Sequence, residues 1–146
     1  MFVFLGFSGV QANDTISVVT ENWRPYSYAG ENGEILGDAT ELVLKVMERA
    51  GLDYSIRIYP WSRAYAKAVH EKNTLIYAML HSPERAEIFQ MIGQVAPSDR
   101  LYFYRLKGRT DVDLKTPGET RRYVIGASRD SVMEAYLKER SFPKTR

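Results

Sequence analysis

Hydrophobic residues recur along the first part of the chain with two different periods. Apolar or β-branched residues alternate with polar ones in segments 15–20 and 54–59, which predicts strands. Between them, apolar residues recur at three- and four-residue intervals, which predicts a helix ending at Gly51. A second helical pattern begins at Trp61, and the unbroken apolar run 74–80 suits a strand covered on both faces. Strands alternating with helices predict an α/β lobe built on a parallel sheet.

Turn and capping residues indicate where these elements begin. Asn32-Gly33 predicts a tight hairpin turn before the first helix. Asp38, with Glu41 three residues later, predicts a capping box for that helix, and Ser62 predicts the cap of the second helix. The residues expected on the buried face of the first helix are all apolar: Leu42, Val43, Val46, Met47 and Ala50.

The long apolar run leads directly into a motif that places an arginine at the start of a third helix. Ser82 is a typical N-cap residue, and Pro83 suits the first helical position. Arg85 then lies in the first turn, where the helix dipole disfavours a cation. This turn follows the carboxyl end of a parallel strand, where open α/β sheets bind ligands. Arg85 is therefore a ligand-binding residue, a solvated surface charge, or the partner of Glu84 or Glu87.

The second part of the chain predicts a separate unit. Segments 101–106 and 123–127 have the composition of strands, and the polar segment 107–111 between them resembles a linker. Segment 116–119 predicts a turn or short helix. Ser131 precedes a further helix, whose N-terminal N–H groups are either suited to an anion or simply capped.

Aromatic residues are concentrated in the loop after the first strand. Trp23, Tyr26 and Tyr28 lie within six positions, more rings than a turn requires. They either form a stacking platform for a ligand or pack the loop onto the domain.

The first twelve residues differ from the rest. Segment 1–12 is apolar and uncharged, and its end has the small-x-small pattern of a signal-peptide cleavage site. A basic start is missing, and the stretch is too short to span a bilayer. We interpret it as a signal-peptide remnant, the alternative being a buried first strand. The mature chain then begins near Asn13.

Composition excludes several classes of function. The net charge is only +2, and no long basic stripe is present, so nucleic acid is not an expected partner. The chain has no cysteine and only two histidines, without the spacing of a metal site. We therefore expect no metal and no cofactor.

Several short motifs, in order, resemble those of a known family. The chain is similar to the N-terminal part of a family 3 extracellular solute-binding protein, the polar amino-acid type that serves ABC importers. The matching motifs are Trp23–Tyr28, Asn32–Gly37, Pro60–Arg63, Ser82–Arg85 and Tyr123–Gly126.

The resemblance implies an α/β, periplasmic-binding-protein-like (type II) fold, incomplete in this chain. Residues 13–106 would form lobe one, and 107–146 the truncated start of lobe two. It implies a periplasmic protein without catalysis, which binds a small carboxylate-bearing solute such as an amino acid. Its partner would be an importer permease in the membrane, which the chain itself does not span.

The resemblance also assigns ligand contacts. Trp23 would stack on the solute, Arg85 would pair with its carboxylate, and Ser131 would complete the carboxylate site. The full predicted ligand-binding set is Trp23, Tyr26, Trp61, His81, Arg85 and Ser131. The family's hydroxyl residues before the arginine motif are replaced here by Met79-Leu80-His81, which predicts a more apolar pocket floor.

Two other functions stay open. The same lobes serve as ligand-sensing input domains of signalling receptors. An enzyme is the third possibility, with an acid–base pair drawn from Glu21, His81, Glu84 and Glu87.

Overall fold

The computed structural model describes residues 15–97 and 101–142. The predicted signal-peptide remnant at 1–12 lies outside the described residues. In chain order the strands are β1 (Ile16–Thr20), β2 (Tyr28–Ala29), β3 (Ile35–Leu36), β4 (Tyr54–Ile58) and β5 (Thr74–Ile76). The α-helices are α1 (Asp38–Ala50), α2 (Trp61–His70), α3 (Pro83–Ile88) and α4 (Val132–Glu139), and a 3₁₀-helix spans Pro117–Arg122.

A parallel sheet in the order β4–β1–β5 forms the centre of the fold. In the middle strand, Val18 lies opposite Ile56 on one side and Leu75 on the other. The predicted α/β class is therefore confirmed. The predicted Asn-Gly hairpin is also present, because β2 and β3 pair antiparallel across it and Gly33 adopts a φ of 86°.

The core lies between the sheet and α1. Val18 packs with Ala39, Val43 and Met47 of the helix, and with Tyr77 and Ala78 beyond β5, as one buried cluster. Neighbouring Val19 is also fully buried. Because successive strand residues point to opposite faces, Val19 faces the other side of the sheet, where α2 contacts β1 and β5.

The predicted caps of α1 and α2 are both wrong. Gly37, not Asp38, is the N-cap of α1, and Pro60, not Ser62, is that of α2. Neither helix has a side-chain cap hydrogen bond. In α1, a carbonyl of the preceding loop satisfies N–H groups of the first turn instead, whereas in α2 the carbonyl of the N-cap residue makes only the ordinary first hydrogen bonds of a helix. The Tyr26 carbonyl accepts from the N–H groups of residues 39 and 40 at 3.1 and 3.2 Å. The Pro60 carbonyl accepts from those of residues 63 and 64 at 2.9 and 3.1 Å.

The buried face of α1 is narrower than predicted. Val43 and Met47 are buried as expected, but Leu42 and Val46 are 40% and 47% exposed. Ala50 is exposed as well. The described sheet covers only the stripe that continues from Ala39 through residues 43 and 47, so the outer apolar residues have no surface against them.

The predicted strand 74–80 is also shorter in the structure. β5 ends at Ile76, because Ala78 adopts a φ of 55° and turns the chain away from the sheet. Tyr77 and Ala78 remain buried, so the apolar run serves the core even where it leaves the strand.

The two strands predicted in the second part of the chain are not formed. Segment 101–106 has no regular structure, and 123–127 has a single bridge position at Ile125. A strand requires a neighbour for its backbone groups, and no described segment supplies a ladder for either. The predicted short helix after Thr116 is present as the 3₁₀-helix, and α4 begins after Ser131 as predicted.

Candidate functional site

A pocket of about 250 Å³ lies beyond the carboxyl ends of β1 and β5. Residues that follow β1 and β5 or belong to α2 and α3 form one wall: Glu21, Asn22, Trp23, Trp61, Ala78, Leu80 and Arg85. Residues from the second part of the chain form the other: Leu101, Ser128, Ser131, Val132 and Met133. The site thus lies where parallel sheets place ligands, between the α/β lobe and the start of α4.

Arg85 is positioned by the cap of α3. The Ser82 hydroxyl accepts a hydrogen bond from the backbone N–H of Arg85 at 3.4 Å, as the N-cap prediction requires. The side chain is only 7% exposed. Its Nη1 donates to the Leu80 carbonyl at 2.7 Å, and its Nη2 donates to the Asp130 carbonyl at 3.1 Å. The guanidinium is therefore fixed by two backbone oxygens from opposite walls of the pocket.

The surroundings of Arg85 are aromatic rather than acidic. Its guanidinium carbon lies 4.9 Å from the Trp61 ring centroid and 5.4 Å from that of Tyr65. Neither Glu84 nor Glu87 forms an ion pair with it, and both are exposed. Burial lowers the pKa of Arg85, with smaller opposing effects of Tyr65, Glu21 and Glu84. An arginine keeps its charge even so. The pocket therefore contains a buried cation that has no ion-pair partner among the residues that the structure describes.

Glu21 brings a second, opposite charge to the pocket. It follows β1 directly, and burial raises its pKa, whereas the attraction of Arg85 acts in the opposite direction. The two side chains do not form an ion pair. The pocket therefore offers one positive and one negative group at separate places.

The raised pKa of Glu21 predicts how stability depends on pH. The native state favours the protonated carboxyl, so Glu21 lowers the free energy of unfolding as pH rises through and above its ordinary pKa of 4.5. We expect Glu21→Gln to remove this loss. The stability gained by the variant over the unsubstituted protein should be larger at about pH 7 than at about pH 4 in urea unfolding.

Glu84 provides a control of opposite sign. It is exposed, and the Ser82 hydroxyl lowers its pKa, so its contribution is present above its ordinary pKa of 4.5 and lost as pH falls. Glu84→Gln should therefore be less favourable at about pH 7 than at about pH 4. If the change in stability caused by each substitution depended on pH in the same way for both variants, the opposite pKa shifts of Glu21 and Glu84 would be contradicted.

Buried hydroxyl groups hold the aromatic loop that carries Trp23. Backbone N–H groups of Trp23 and Ser27 donate to each other's carbonyls at 2.7 and 2.9 Å. The Ser27 hydroxyl donates to the Glu21 carbonyl at 2.7 Å and contacts the Thr20 hydroxyl at 3.1 Å. The Tyr26 ring packs edge-on against Trp23 with centroids 5.4 Å apart. The loop is thus anchored at the end of β1, with Trp23 lining the pocket.

The first turn of α4 contributes the opposite wall. The Ser131 hydroxyl caps this helix by accepting from the Glu134 backbone N–H at 3.1 Å. The Glu134 carboxylate accepts from the Asp130 N–H at 2.8 Å. Val132 and Met133, at the first helical positions, line the pocket with Ser131.

The structure brings together four of the six predicted ligand-binding residues: Trp23, Trp61, Arg85 and Ser131. Tyr26 supports Trp23 and packs against the core instead of lining the pocket, and His81 is exposed. Glu21 is a charged pocket residue that the predicted ligand-binding set does not include. Its position directly after the first strand was the available signal. The ligand roles of all these residues remain predictions.

The described residues contain neither a metal-binding cluster nor a membrane-spanning helix. No group of three or more histidine, acidic or cysteine residues is placed to hold a metal ion there. None of the helices in 15–97 and 101–142 has both the length and the hydrophobicity that crossing a bilayer demands.

A second concavity lies on the outside of α1, lined by Glu41, Leu44, Lys45, Glu48 and Tyr54. It is remote from the ends of the strands that carry the charged pocket.

Comparison with solved structures shows the same fold. An ancestral arginine-binding protein with bound arginine has a TM-score of 0.65 and 19% identity, over 90% of this chain and 59% of that one. The arginine-binding protein of T. maritima has a TM-score of 0.65 and 16% identity, over 90% and 58%. A histidine kinase sensor domain similar to periplasmic binding proteins has a TM-score of 0.66 and 19% identity, over 92% and 58%.

This chain therefore spans somewhat less than three fifths of the length of these proteins. No curated protein sequence matches it significantly. The sequence profile of the bacterial extracellular solute-binding proteins, family 3, matches residues 16–115, which is more than half of the chain and includes β1 through α3. Fold and sequence profile agree, and the chain belongs to the family 3 bacterial extracellular solute-binding proteins.

Proposed function

We propose that the protein is the periplasmic solute-binding component of an ABC-type importer and binds a small carboxylate-bearing solute such as an amino acid, without catalysis. The observation that carries this proposal is Arg85, a cation that is 7% exposed, lines the pocket and has no ion-pair partner within residues 15–97 and 101–142. A buried charge without a counterion is costly. A ligand anion would remove that cost.

The guanidinium suits a carboxylate in particular. Two of its N–H groups donate to the Leu80 and Asp130 carbonyls, and its planar fork has further N–H donors. Such donors bind a carboxylate with charge-assisted hydrogen bonds. The Trp61 ring beneath Arg85 and the Trp23 ring of the loop supply apolar surface for the rest of the solute.

Glu21 supports an amino acid over a simple acid. Its carboxyl group lines the same pocket as Arg85 without pairing with it, so the site can accommodate a zwitterion with its two charges at separate places. The pocket volume of about 250 Å³ is at the small end of ligand sites and favours a small solute. The arginine-bound ancestral relative supports the same ligand class through its fold.

Matched pairs of solutes provide the test. We expect calorimetry on the full chain to detect a standard L-amino acid, and expect its decarboxylated amine to bind at least about tenfold more weakly. L-Arginine with agmatine and L-glutamine with 4-aminobutyramide are suitable pairs. Absence of binding across the standard L-amino acids, or equal affinities within each pair, would reject the proposal.

A ligand-sensing input domain is the second candidate. The histidine kinase sensor domain has a TM-score of 0.66 over 92% of this chain, close to the values for the arginine-binding proteins. Both functions use the same pocket, so the gene context distinguishes them. A membrane segment followed by a kinase or cyclase domain in the same reading frame would favour the sensor, and neighbouring permease genes would favour the importer.

The arrangement of acids supports binding rather than catalysis. Glu21 lines the pocket, but His81, Glu84 and Glu87 are exposed and do not line it. The acid–base pair considered from the sequence is therefore not assembled around the pocket. Product analysis after prolonged incubation with the bound amino acid should return it unchanged.

A further inference from the structure

One buried polar atom in the described part of the chain lacks a hydrogen-bond partner, the indole nitrogen Nε1 of Trp61. The nitrogen is buried, and Trp61 as a whole is 8% exposed. Buried polar groups in native proteins almost always have a partner, and a group that lacks one requires an explanation. An N–H without a partner is also destabilising, because it has lost its hydrogen bond to water.

The position of Trp61 supplies an explanation. It is the first residue of α2 and lines the charged pocket. The Arg85 guanidinium carbon lies 4.9 Å from the ring centroid. An anion bound to that guanidinium would therefore be close to the indole.

A solute carboxylate in this pocket can accept more hydrogen bonds than Arg85 alone supplies. A carboxylate can accept several hydrogen bonds, whereas Arg85 already uses two N–H groups on backbone carbonyls. Glu21 has the wrong charge for an anion. The Ser131 hydroxyl accepts from the first turn of α4 and retains one O–H that can donate. Trp61 Nε1 can only donate, and in the described structure it donates to nothing.

We infer that the Trp61 indole N–H is a specificity-determining donor, which binds the same solute carboxylate as Arg85. This inference rests on the proposed binding of a carboxylate-bearing solute. It adds that Trp61 recognises the anion and does not merely provide an apolar surface. The N–H, which has no partner among the described protein atoms, acquires one when the solute binds.

Nuclear magnetic resonance can observe this donor directly. The chain contains only two tryptophans, so an ¹⁵N–¹H spectrum has two indole N–H signals, which Trp61→Phe assigns. We expect the Trp61 signal to move downfield when the full chain is titrated with an L-amino acid that binds. We expect Trp61→Phe to lower the affinity for that amino acid by about tenfold or more.

The decarboxylated amine separates hydrogen bonding from packing. If the Trp61 indole N–H donates to the carboxylate, Trp61→Phe should lower the affinity for L-arginine but leave the affinity for agmatine nearly unchanged. Equal losses for both would mean lost packing and would overturn the inference. The unsubstituted protein provides a second readout if the variant does not fold, because an unmoved Trp61 signal at saturation also overturns it.

The proposed function fails in a distinguishable way. If none of the standard L-amino acids changes any signal of the pocket, carboxylate binding itself is rejected, and the role of Trp61 with it. If signals around Arg85 change while the Trp61 N–H does not, the proposed function stands and only the inference about Trp61 is rejected.

Discussion

Replacing Arg85 by glutamine is expected to weaken amino-acid binding by about 10- to 100-fold, because hydrogen bonds to a charged group contribute about 1.5–3 kcal/mol. Glutamine removes the buried positive charge of the pocket but keeps a polar side chain. Arg85→Lys should recover only part of the affinity, since an ammonium retains the charge without the planar fork. Calorimetry with the tightest amino acid measures both effects.

A neighbouring exposed arginine provides the control. Arg63 lies in the first turn of α2 and is exposed, so Arg63→Gln should leave the affinity within about threefold of the unsubstituted protein. Because Arg85 also donates to the Leu80 and Asp130 carbonyls, thermal unfolding must show that each variant is folded at the binding temperature. Equal affinities of folded Arg85→Gln and Arg63→Gln would reject Arg85 as the anion-binding residue.

Replacing Gly37 by alanine is expected to lower the free energy of unfolding by about 3 kcal/mol or more, the largest loss among the variants proposed for this protein. Gly37 has a φ of 124°, which L side chains rarely adopt. A Cβ atom there would collide with the Tyr26 carbonyl, which itself caps α1. The aromatic loop and the start of the helix would both have to move. Urea unfolding of the variant measures the loss.

Gly51 separates backbone strain from collision. Its φ is 63°, also in the left-handed region, but a Cβ atom there would have no neighbour within 4 Å. Gly51→Ala should therefore cost only the conformational strain, about 1–2 kcal/mol. If the two variants lose equal stability, the close approach of the Tyr26 carbonyl does not limit position 37.

The elements that the sequence predicted well are those encoded by local patterns. The alternation in β1 and β4, the helical periods of α1 and α2, and the Asn-Gly hairpin each depend on neighbouring residues alone. Arg85 was found for the same reason, since Ser82 and Pro83 mark the helix that places it. The glycine terminator of α1 is present as well, with Gly51 in the left-handed conformation.

The errors involve contacts with distant segments. The cap of α1 cannot be read from its own sequence, because the carbonyl that satisfies its first turn belongs to Tyr26 in the preceding loop. The strands predicted at 101–106 and 123–127 have suitable composition but no described neighbour to pair with. A strand is a property of at least two segments, whereas composition describes only one.

The composition of the pocket was predictable only in part for the same reason. Glu21 and Arg85 are far apart in sequence and share a pocket because β5 lies beside β1, an order that no local pattern specifies. His81 directly precedes the arginine motif, yet the chain turns away after Ala78 and leaves that histidine exposed. A position close in sequence to the arginine motif therefore did not predict that a residue lines the pocket.

The hydrogen bond from Arg85 to the Asp130 carbonyl has a consequence for how tightly any solute can be held. It links the sheet-bearing part of the molecule to the loop before α4. An incoming anion that takes over this N–H must break an existing bond in order to form its own. The measured affinity then reports an exchange of acceptors. We expect a variant that weakens the link between Arg85 and the Asp130 carbonyl to bind the solute more tightly, although its direct contacts with the solute are unchanged.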